Sequence, residues 1–269
     1  MMICEIPKIT LGRTGLRVTR LGIGGGYCES ADGYRTALDY GVNYVDTARN
    51  YRDGEDEKVI GQAIQGRRDQ LVLATKTAAR CAEGARRDLE ISLRSLKTEY
   101  IDVYQLHHLN TLVEREQALS SGGALEAAQR AQEEGLIRFI GVTGHDWQQV
   151  GQAVDSGVFD TVLCWYNCAM KEPEGAVFPK SLDLNVGVII MNASRNDRLF
   201  SRTGTPPEEH FYRYVLRHPA VHITIMGLRS TERFGRIALC LSDNIGLTDQ
   251  EGVVLENYGY QMREQGQLD

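Results

Sequence analysis

The sequence of 269 residues lacks long apolar runs and clusters of positive charge. No stretch approaches the roughly 18 consecutive apolar residues of a membrane-spanning helix, and the opening residues lack the apolar core of a signal peptide. The net charge is −6, and there is no basic run of the kind that binds nucleic acid or an anionic membrane. We therefore expect a cytoplasmic protein whose partners include neither nucleic acid nor a membrane.

Cysteine pairs of the kind that bind zinc or carry out dithiol chemistry are also missing. The six cysteines are scattered along the chain, and no two of them have the Cys-x-x-Cys spacing. A chain of this length does not need disulfides, so we expect most of these cysteines to be small buried apolar side chains.

Linkers and low-complexity segments are absent too, and the length does not require more than one domain.

What the sequence does contain is a regular alternation of helix-like stretches and short apolar runs. The apolar runs number eight and occur in this order: TRLGIGGG, VNYVDT, QLVLATK, IDVYQLHH, IRFIGVTG, DTVLCWYN, VGVIIMN and VHITIMG. Apolar strands that alternate with helices predict a parallel sheet covered by helices. Eight such units in a chain of this length predict that the sheet closes into a (β/α)8 barrel.

Both ends of the chain carry additional signals. At the start, the short runs KITL and LRVT lie on either side of GRTG, which predicts a β-hairpin. At the end, the stretch TDQEGVVLENYGYQMREQG predicts a last helix that is capped by Thr248.

Polar residues occur where three successive apolar runs end. The second run ends on Asp46, the third on Lys76 and the fourth on His107, while Tyr51 follows five residues after Asp46. In a (β/α)8 barrel the active site lies at the carboxyl ends of the strands. We therefore expect these four side chains to face one another at the mouth of the barrel.

These four residue types together suit the reduction of a carbonyl group by hydride. The carbonyl oxygen needs a proton as negative charge develops on it, and Tyr51 can supply one. The pKa of a free tyrosine is about 10, and a neighbouring ammonium group, that of Lys76, is expected to lower it. Asp46 would keep Lys76 charged and in position, and His107 would orient the substrate oxygen.

The sequence resembles the aldo-keto reductase family over nearly its whole length. The segments that carry the resemblance are LGRTGLRVTRLGIGG, GVNYVDTARNY, GEDEKVIGQAI, LVLATK, YIDVYQLHH, GLIRFIGVTG and YVLRHPAVHITIMG. The resemblance implies one (β/α)8 barrel domain over residues 1–269 and a NADP-dependent oxidoreductase that reduces aldehydes or ketones, or catalyses the reverse reaction. It places the family's catalytic tetrad on Asp46, Tyr51, Lys76 and His107, with Tyr51 as the proton donor.

The resemblance also implies that NADPH binds in an extended pose without a Rossmann domain. GIGGGY does not satisfy the GxGxxG pattern, because Tyr27 stands where the last glycine should be, and we expect Gly24 and its neighbours to allow close approach of the backbone. The adenosine phosphate is expected at Arg229, Ser230 and Arg233, where a helix begins. These residues favour NADPH, with NADH as the alternative.

The nicotinamide end departs from the family pattern. The family commonly has Ser-Asn after the fifth strand, a glutamine on the sixth and an aromatic residue after the seventh. Here the corresponding residues are Thr143-Gly144, Leu163 and Met191-Asn192. We expect Thr143, Gly144 and Met191 to keep cofactor contacts, and Asn167, Asn192 and His145 are the candidates to replace the missing carboxamide contacts.

The substrate is expected to be a small or sugar-like carbonyl compound in an open pocket. The expected pocket residues are Tyr27, His108, Trp147 and Trp165. His108 follows the tetrad histidine, at a position that is often tryptophan in the family. The sequence is compatible with a monomer or a small homo-oligomer, and it does not identify the physiological substrate.

Three other functions compete with this interpretation. A metal-dependent barrel hydrolase would use His107, His108, His145 and Asp46 as ligands, but the first strand lacks the His-x-His that this class requires, so we expect no metal site. A Schiff-base aldolase would use Lys76, although the paired aspartate and tyrosine suit reduction better. A regulatory protein of the same fold that binds the cofactor with little turnover is the third alternative.

Overall fold

The computed structural model describes residues 5–266, and the eight predicted apolar runs form the strands of one closed barrel. Its strands are β3 (Leu21–Gly24), β4 (Tyr44–Asp46), β5 (Val72–Thr77), β6 (Ile101–Leu106), β7 (Ile137–Thr143), β8 (Thr161–Trp165), β9 (Gly187–Met191) and β10 (Val221–Gly227). Each strand pairs in parallel with the next along the chain, and β10 pairs with β3 to close the barrel. The prediction of a (β/α)8 barrel is confirmed.

Helices follow the strands and cover the outside of the barrel. They are α1 (Ala31–Leu38), α2 (Glu55–Ala63), α3 (Ala82–Leu96), α4 (Leu112–Leu119), α5 (Ala124–Glu133), α6 (Trp147–Asp155), α7 (Pro173–Ala176), α8 (Phe178–Asp183), α9 (Glu208–Leu216), α10 (Thr231–Asp243) and α11 (Asp249–Glu264). In α3 the buried residues Ala85, Leu89, Ser92 and Leu96 recur every three or four positions, so that one face packs on the barrel.

Side-chain caps mark the beginning of several of these helices. The Thr248 side chain accepts a hydrogen bond from the backbone of Glu251, and Glu251 bonds back to the backbone of Thr248. This capping box satisfies N–H groups that have no partner within the first turn of α11. The predicted cap on the last helix is therefore confirmed. No helix within residues 5–266 has the length and apolar character needed to cross a membrane.

The predicted N-terminal hairpin is also present, and it covers the amino end of the barrel. It consists of β1 (Lys8–Thr10) and β2 (Arg17–Thr19), which pair antiparallel around a short 3-10 helix, Gly12–Thr14. Gly12 has a φ of +49°, and a Cβ on it would lie 2.3 Å from the backbone nitrogen of Gly187 at the start of β9. Glycine is therefore required where the hairpin meets the barrel.

Two apolar cores result from this arrangement, one between strands and helices and one inside the barrel. The inner core combines hairpin residues with inward-facing strand residues: Leu11, Leu16, Val18, Tyr44, Val72, Ala74, Val103, Leu163, Ile189, Ile223 and Ile225. The amino half of the barrel is thus filled by side chains, and the carboxyl ends of the strands are the end at which a cleft can open.

The prediction that most cysteines are buried is wrong. The described part of the chain contains five cysteines. Cys164 and Cys168 are buried, Cys28 and Cys240 are half-buried, and Cys81 is exposed. Cys28 and Cys81 lie in connections after β3 and β5, and Cys240 lies on α10 away from the barrel side of that helix. Cys4 lies outside the described residues.

Candidate active site

A cleft of about 350 Å³ opens at the carboxyl ends of the barrel strands. Its floor includes Gly24, Gly25 and Gly26 after β3, together with Asp46 and Tyr51 from β4 and the loop after it. A Cβ on Gly25 would lie 2.4 Å from an Oδ of Asp56 and 2.8 Å from the carbonyl oxygen of Asp46. Gly25 therefore allows the backbone after β3 to approach Asp46 and Asp56 closely.

The structure brings Asp46, Tyr51 and Lys76 into direct contact at this end of the barrel. The Lys76 ammonium donates to Oδ2 of Asp46 at 2.5 Å and to the carbonyl oxygen of Thr47 at 2.6 Å, and its Nζ lies 3.4 Å from the Tyr51 hydroxyl oxygen. Gln105 on β6 donates to the other Asp46 oxygen at 2.8 Å. Lys76 and Asp46 are both almost completely buried, so this ion pair is fixed in one geometry.

Tyr51 reaches this ion pair because the chain turns sharply after β4. Backbone hydrogen bonds hold the turn, from Arg49 to Lys76 and from Tyr51 to Ala48. Beyond Tyr51 the backbone adopts left-handed conformations at Arg52 and Asp53, with φ of 51° and 56°. Such values are uncommon outside glycine, and no sequence pattern predicted them here.

The pKa of Tyr51 differs from the sequence-based prediction. Burial raises this pKa, and the Lys76 ammonium opposes the effect without cancelling it, so that the net shift is upward. For Lys76 burial favours the neutral amine, but the Asp46 carboxylate and the Tyr51 oxygen outweigh it, and the pKa of Lys76 is raised. The predicted lowering of the Tyr51 pKa is therefore wrong in sign, and at neutral pH the phenol carries its proton beside a charged lysine.

His107 lies next to Tyr51 and is also buried. The two rings are 5.9 Å apart between centroids and nearly perpendicular, at 74°. Burial lowers the pKa of His107 strongly, and the positive charge of Lys76 acts in the same direction. Its Nδ1 is buried and has no hydrogen-bond partner among residues 5–266. The ring is therefore neutral, and it retains hydrogen-bonding capacity beside the cleft.

Arg80, which the sequence analysis missed, holds the backbone of the two adjacent histidines. Its guanidinium donates to the carbonyl oxygens of His107 and His108, each at 2.8 Å. His108 has a left-handed backbone with a φ of 56°, and the two bonds stabilise that conformation. Arg80 also pairs with Glu114, at 3.4 Å. Its partners are backbone atoms about 27 residues away, and no motif in the sequence indicates such contacts.

The remaining predicted site residues divide into two groups. Those that line the cleft are Gly24, Tyr27, His108, His145, Trp165, Met191, Asn192, Arg229 and Arg233. Those that do not line it are Thr143, Gly144, Asn167, Trp147 and Ser230. The predicted tetrad members Lys76 and His107 do not line the cleft, and both are buried next to Tyr51.

The residues outside the lining have structural contacts of their own. Asn167 donates to the carbonyl oxygen of Asn192 at 3.0 Å and thereby ties together the segments after β8 and β9. The Trp147 indole donates to the carbonyl oxygen of Trp165 at 3.1 Å. Ser230 caps α10 by accepting from the backbone of Arg233 at 3.1 Å. Their polar groups are used within the protein, which the sequence pattern does not reveal.

Arg229 and Arg233 lie at the far end of the cleft, beside an acidic partner from the loop after β9. Arg233 donates to both carboxylate oxygens of Asp197, at 2.7 and 2.8 Å, and also to Glu208. Arg229 stacks on the Tyr27 ring, 4.1 Å from its centroid, and lies 3.9 Å from Asp197. The sequence predicted the arginines at this position, but it gave no sign of Asp197.

The histidines do not assemble into a metal site. Within residues 5–266, no group of three or more His, Cys, Asp or Glu side chains has a geometry that could hold a metal ion. No three of the ligands considered for a barrel hydrolase, which are Asp46, His107, His108 and His145, therefore have a geometry that could hold a metal ion.

The chain resembles known proteins in sequence. Residues 26–196 match the model of the Aldo/keto reductase family. The chain belongs to the aldo-keto reductase family. It is 32% identical to the aldo-keto reductase YhdN of Bacillus subtilis over 226 residues, which is 76% of this chain and 66% of YhdN.

Two further proteins are similar to this chain in sequence or in fold. L-galactose dehydrogenase of Arabidopsis thaliana is 29% identical over 183 residues, 60% of this chain and 56% of that protein. The matches thus span about two thirds or less of the length of these curated relatives. The holo form of the aldo-keto reductase AKR11C1 from Bacillus halodurans superposes with a TM-score of 0.82 at 23% identity, over 94% of this chain and 96% of that one.

Proposed function

We propose that this aldo-keto reductase reduces the carbonyl group of small aldehydes or ketones to alcohols, or oxidises the alcohols in reverse. The observation that carries the proposal is the buried contact of Lys76 with Asp46 and with the hydroxyl of Tyr51. Among the side chains at the mouth of the barrel, this arrangement provides a proton donor next to a fixed positive charge. Both are needed where negative charge develops on a carbonyl oxygen.

Each member of the tetrad has a role that follows from its contacts. Tyr51 donates its proton to the carbonyl oxygen, and the Lys76 ammonium stabilises the phenolate that this leaves. Asp46 and the carbonyl oxygen of Thr47 hold Lys76 in place. The neutral imidazole of His107 donates a hydrogen bond to the substrate oxygen and orients it. The raised pKa of Tyr51 keeps the proton on the phenol until charge develops on the substrate.

The cleft also has groups that fit a nicotinamide cofactor. Two guanidinium groups, those of Arg229 and Arg233, line the end of the cleft that lies next to the first turn of α10, which suits an adenosine phosphate. Met191, which ends β9, and Asn192, which follows it, also line the cleft. When bound, the cofactor supplies the hydride. The two arginines favour NADPH, and NADH is the alternative.

Substitution of Tyr51 by phenylalanine tests the assignment of the proton donor. We expect Tyr51→Phe to lower kcat/KM for aldehyde reduction by about 10³-fold or more, within the range of general acid catalysis, and to change the Kd for NADPH by only a few-fold. Stopped-flow oxidation of NADPH and fluorescence titration provide the two measurements. The control Tyr260→Phe, at a tyrosine that is 65% exposed, should behave like the unmodified protein. Full activity of Tyr51→Phe would refute the assignment.

One observation favours a second candidate, a regulatory protein that binds the cofactor with little turnover. Three residues expected near the carboxamide, Thr143, Gly144 and Asn167, do not line the cleft, and the amide of Asn167 is engaged with Asn192 and Ala169. The decisive comparison is between NADPH binding and NADPH consumption with a panel of aldehydes. Tight binding without consumption would favour the regulator.

A further inference from the structure

A continuous row of rings extends from the tetrad along one wall of the cleft. His107 stacks on His108 with centroids 3.6 Å apart, His108 meets His145 edge-on at 4.9 Å, and His145 stacks on Trp165 at 4.2 Å. His108, His145 and Trp165 all line the cleft. The row begins at Tyr51, so whatever contacts this wall lies next to the carbonyl group that Tyr51 and His107 would act on.

The imidazoles of His108 and His145 have unused hydrogen-bonding capacity. Within residues 5–266, neither side chain forms a hydrogen bond or an ion pair, and their protein contacts are ring contacts. Burial lowers the pKa of His108, and burial together with the charges of His108 and Arg195 lowers the pKa of His145 to about 4. Both rings are therefore neutral at pH 7, and each offers one donor and one acceptor.

The surrounding charges favour a neutral polar ligand over an anion at this wall. Among the described residues that line the cleft, the cationic side chains are Arg229 and Arg233, at the opposite end beside Asp197. Two other guanidinium groups lie close to this wall without lining the cleft. That of Arg80 is held by the carbonyl oxygens of His107 and His108 and by Glu114, and that of Arg195 stacks on the Trp165 ring, 4.5 Å from its centroid. A substrate carboxylate would therefore meet neutral imidazoles here, whereas a hydroxyl group can donate to one ring and accept from another.

We propose that His108 and His145 bind a hydroxyl group of the substrate, and that the protein prefers carbonyl compounds with a hydroxyl on the carbon next to the carbonyl. The inference rests on the proposed function, because it assumes that the carbonyl oxygen contacts Tyr51 and His107. An unsubstituted aldehyde would displace water from the two imidazoles without replacing its hydrogen bonds, which lowers its relative affinity. The row of rings places the hydroxyl site directly beside the carbonyl site.

The test compares glyceraldehyde with propanal, which has the same carbon chain without hydroxyl groups. We expect kcat/KM with NADPH to be at least tenfold higher for glyceraldehyde, after correction for the hydrated fraction of each aldehyde measured by NMR. His145→Phe keeps the ring stack on Trp165 but removes the donor and acceptor, and it should lower this ratio at least fivefold. His108→Phe should act in the same direction. His145→Asn, which keeps a donor and an acceptor, should restore part of the preference.

The control variant is His210→Gln, because His210 lies on α9 near Glu251, at 3.7 Å, and does not line the cleft. It should leave the ratio unchanged. Equal rates for the two aldehydes, or equal losses for both in His145→Phe, would overturn the inference while leaving the reductase intact. A loss in His145→Phe that is fully explained by weaker NADPH binding would also overturn it, by assigning His145 to the cofactor. So would a preference for succinic semialdehyde over glyceraldehyde. Failure to reduce any aldehyde would instead overturn the proposed function.

Discussion

At the residue scale, Arg233 shows how a charged side chain can be engaged before any ligand binds. Its guanidinium donates to Glu208 and to both carboxylate oxygens of Asp197, and the Asp197 interaction is the largest cause of its raised pKa. A phosphate that approaches Arg233 therefore either competes with Asp197 or accepts hydrogen bonds from the guanidinium N–H groups that Asp197 and Glu208 do not use. The five donors of a guanidinium make the second arrangement possible.

This competition leads to a prediction about cofactor preference. Arg233→Ala should weaken NADPH binding at least tenfold and NADH binding by much less, since only NADPH carries a 2′-phosphate for this guanidinium to contact. Arg236→Ala is the matched control, because Arg236 also pairs with Glu208 but does not line the cleft. Fluorescence titrations with both cofactors measure the difference. An equal loss for NADPH and NADH would remove the proposed phosphate contact.

The sequence identifies residues whose role depends on strand position, and it misses those whose role depends on distant partners. Asp46, Lys76 and His107 are recognisable because each ends an apolar run, and parallel strands bring such ends together. Asp197 gives no signal of this kind, because its partner Arg233 is 36 residues away, on α10. The sign of the Tyr51 pKa shift was predicted incorrectly because it depends on the extent of burial, which sequence alone does not provide.

At the element scale, the connection between β5 and α3 positions the histidines at the end of β6. Arg80 lies in this connection, and its two bonds to the carbonyl oxygens of His107 and His108 fix the turn that follows β6. The helices were predicted from the helix-like stretches between the apolar runs, and the last one also from its cap at Thr248. The left-handed turns at Arg52 and His108 were not, because residues other than glycine adopt them only when tertiary contacts such as these stabilise them.

We expect Arg80→Met to lower kcat for aldehyde reduction about tenfold or more, since the His107 ring would lose its fixed orientation. The Kd for NADPH should change much less, because Arg80 does not line the cleft. Arg86→Met provides the control, since Arg86 lies on α3 and pairs with Glu90 and Glu134 at the surface. Steady-state kinetics and thermal unfolding should be recorded together. An Arg80→Met variant with normal kcat would show that the turn holds without this contact.

At the scale of the whole molecule, barrel closure could be predicted by counting apolar runs, whereas the role of the hairpin could not. The hairpin residues Leu11, Leu16 and Val18 are short apolar side chains in an ordinary β-hairpin pattern. Their burial among inward-facing strand residues such as Tyr44 and Ile189 becomes evident only when the barrel is assembled. The hairpin thus completes the core at the amino end, and the cleft lies at the opposite end of the same strands.

This separation of stability from chemistry leads to a prediction for Leu11, which is fully buried beneath the barrel. Leu11→Ala should lower the free energy of unfolding by about 2–5 kcal/mol, because it removes buried methyl groups and leaves a cavity between the hairpin and β9. Urea unfolding gives the change in free energy. Val253→Ala, at an exposed position on α11, should change it by no more than about 0.5 kcal/mol.

The folded Leu11→Ala protein should retain its KM for NADPH, because the barrel strands separate Leu11 from the cleft. A loss of stability below about 1 kcal/mol would show that the hairpin only covers the amino end of the barrel and is not part of its core.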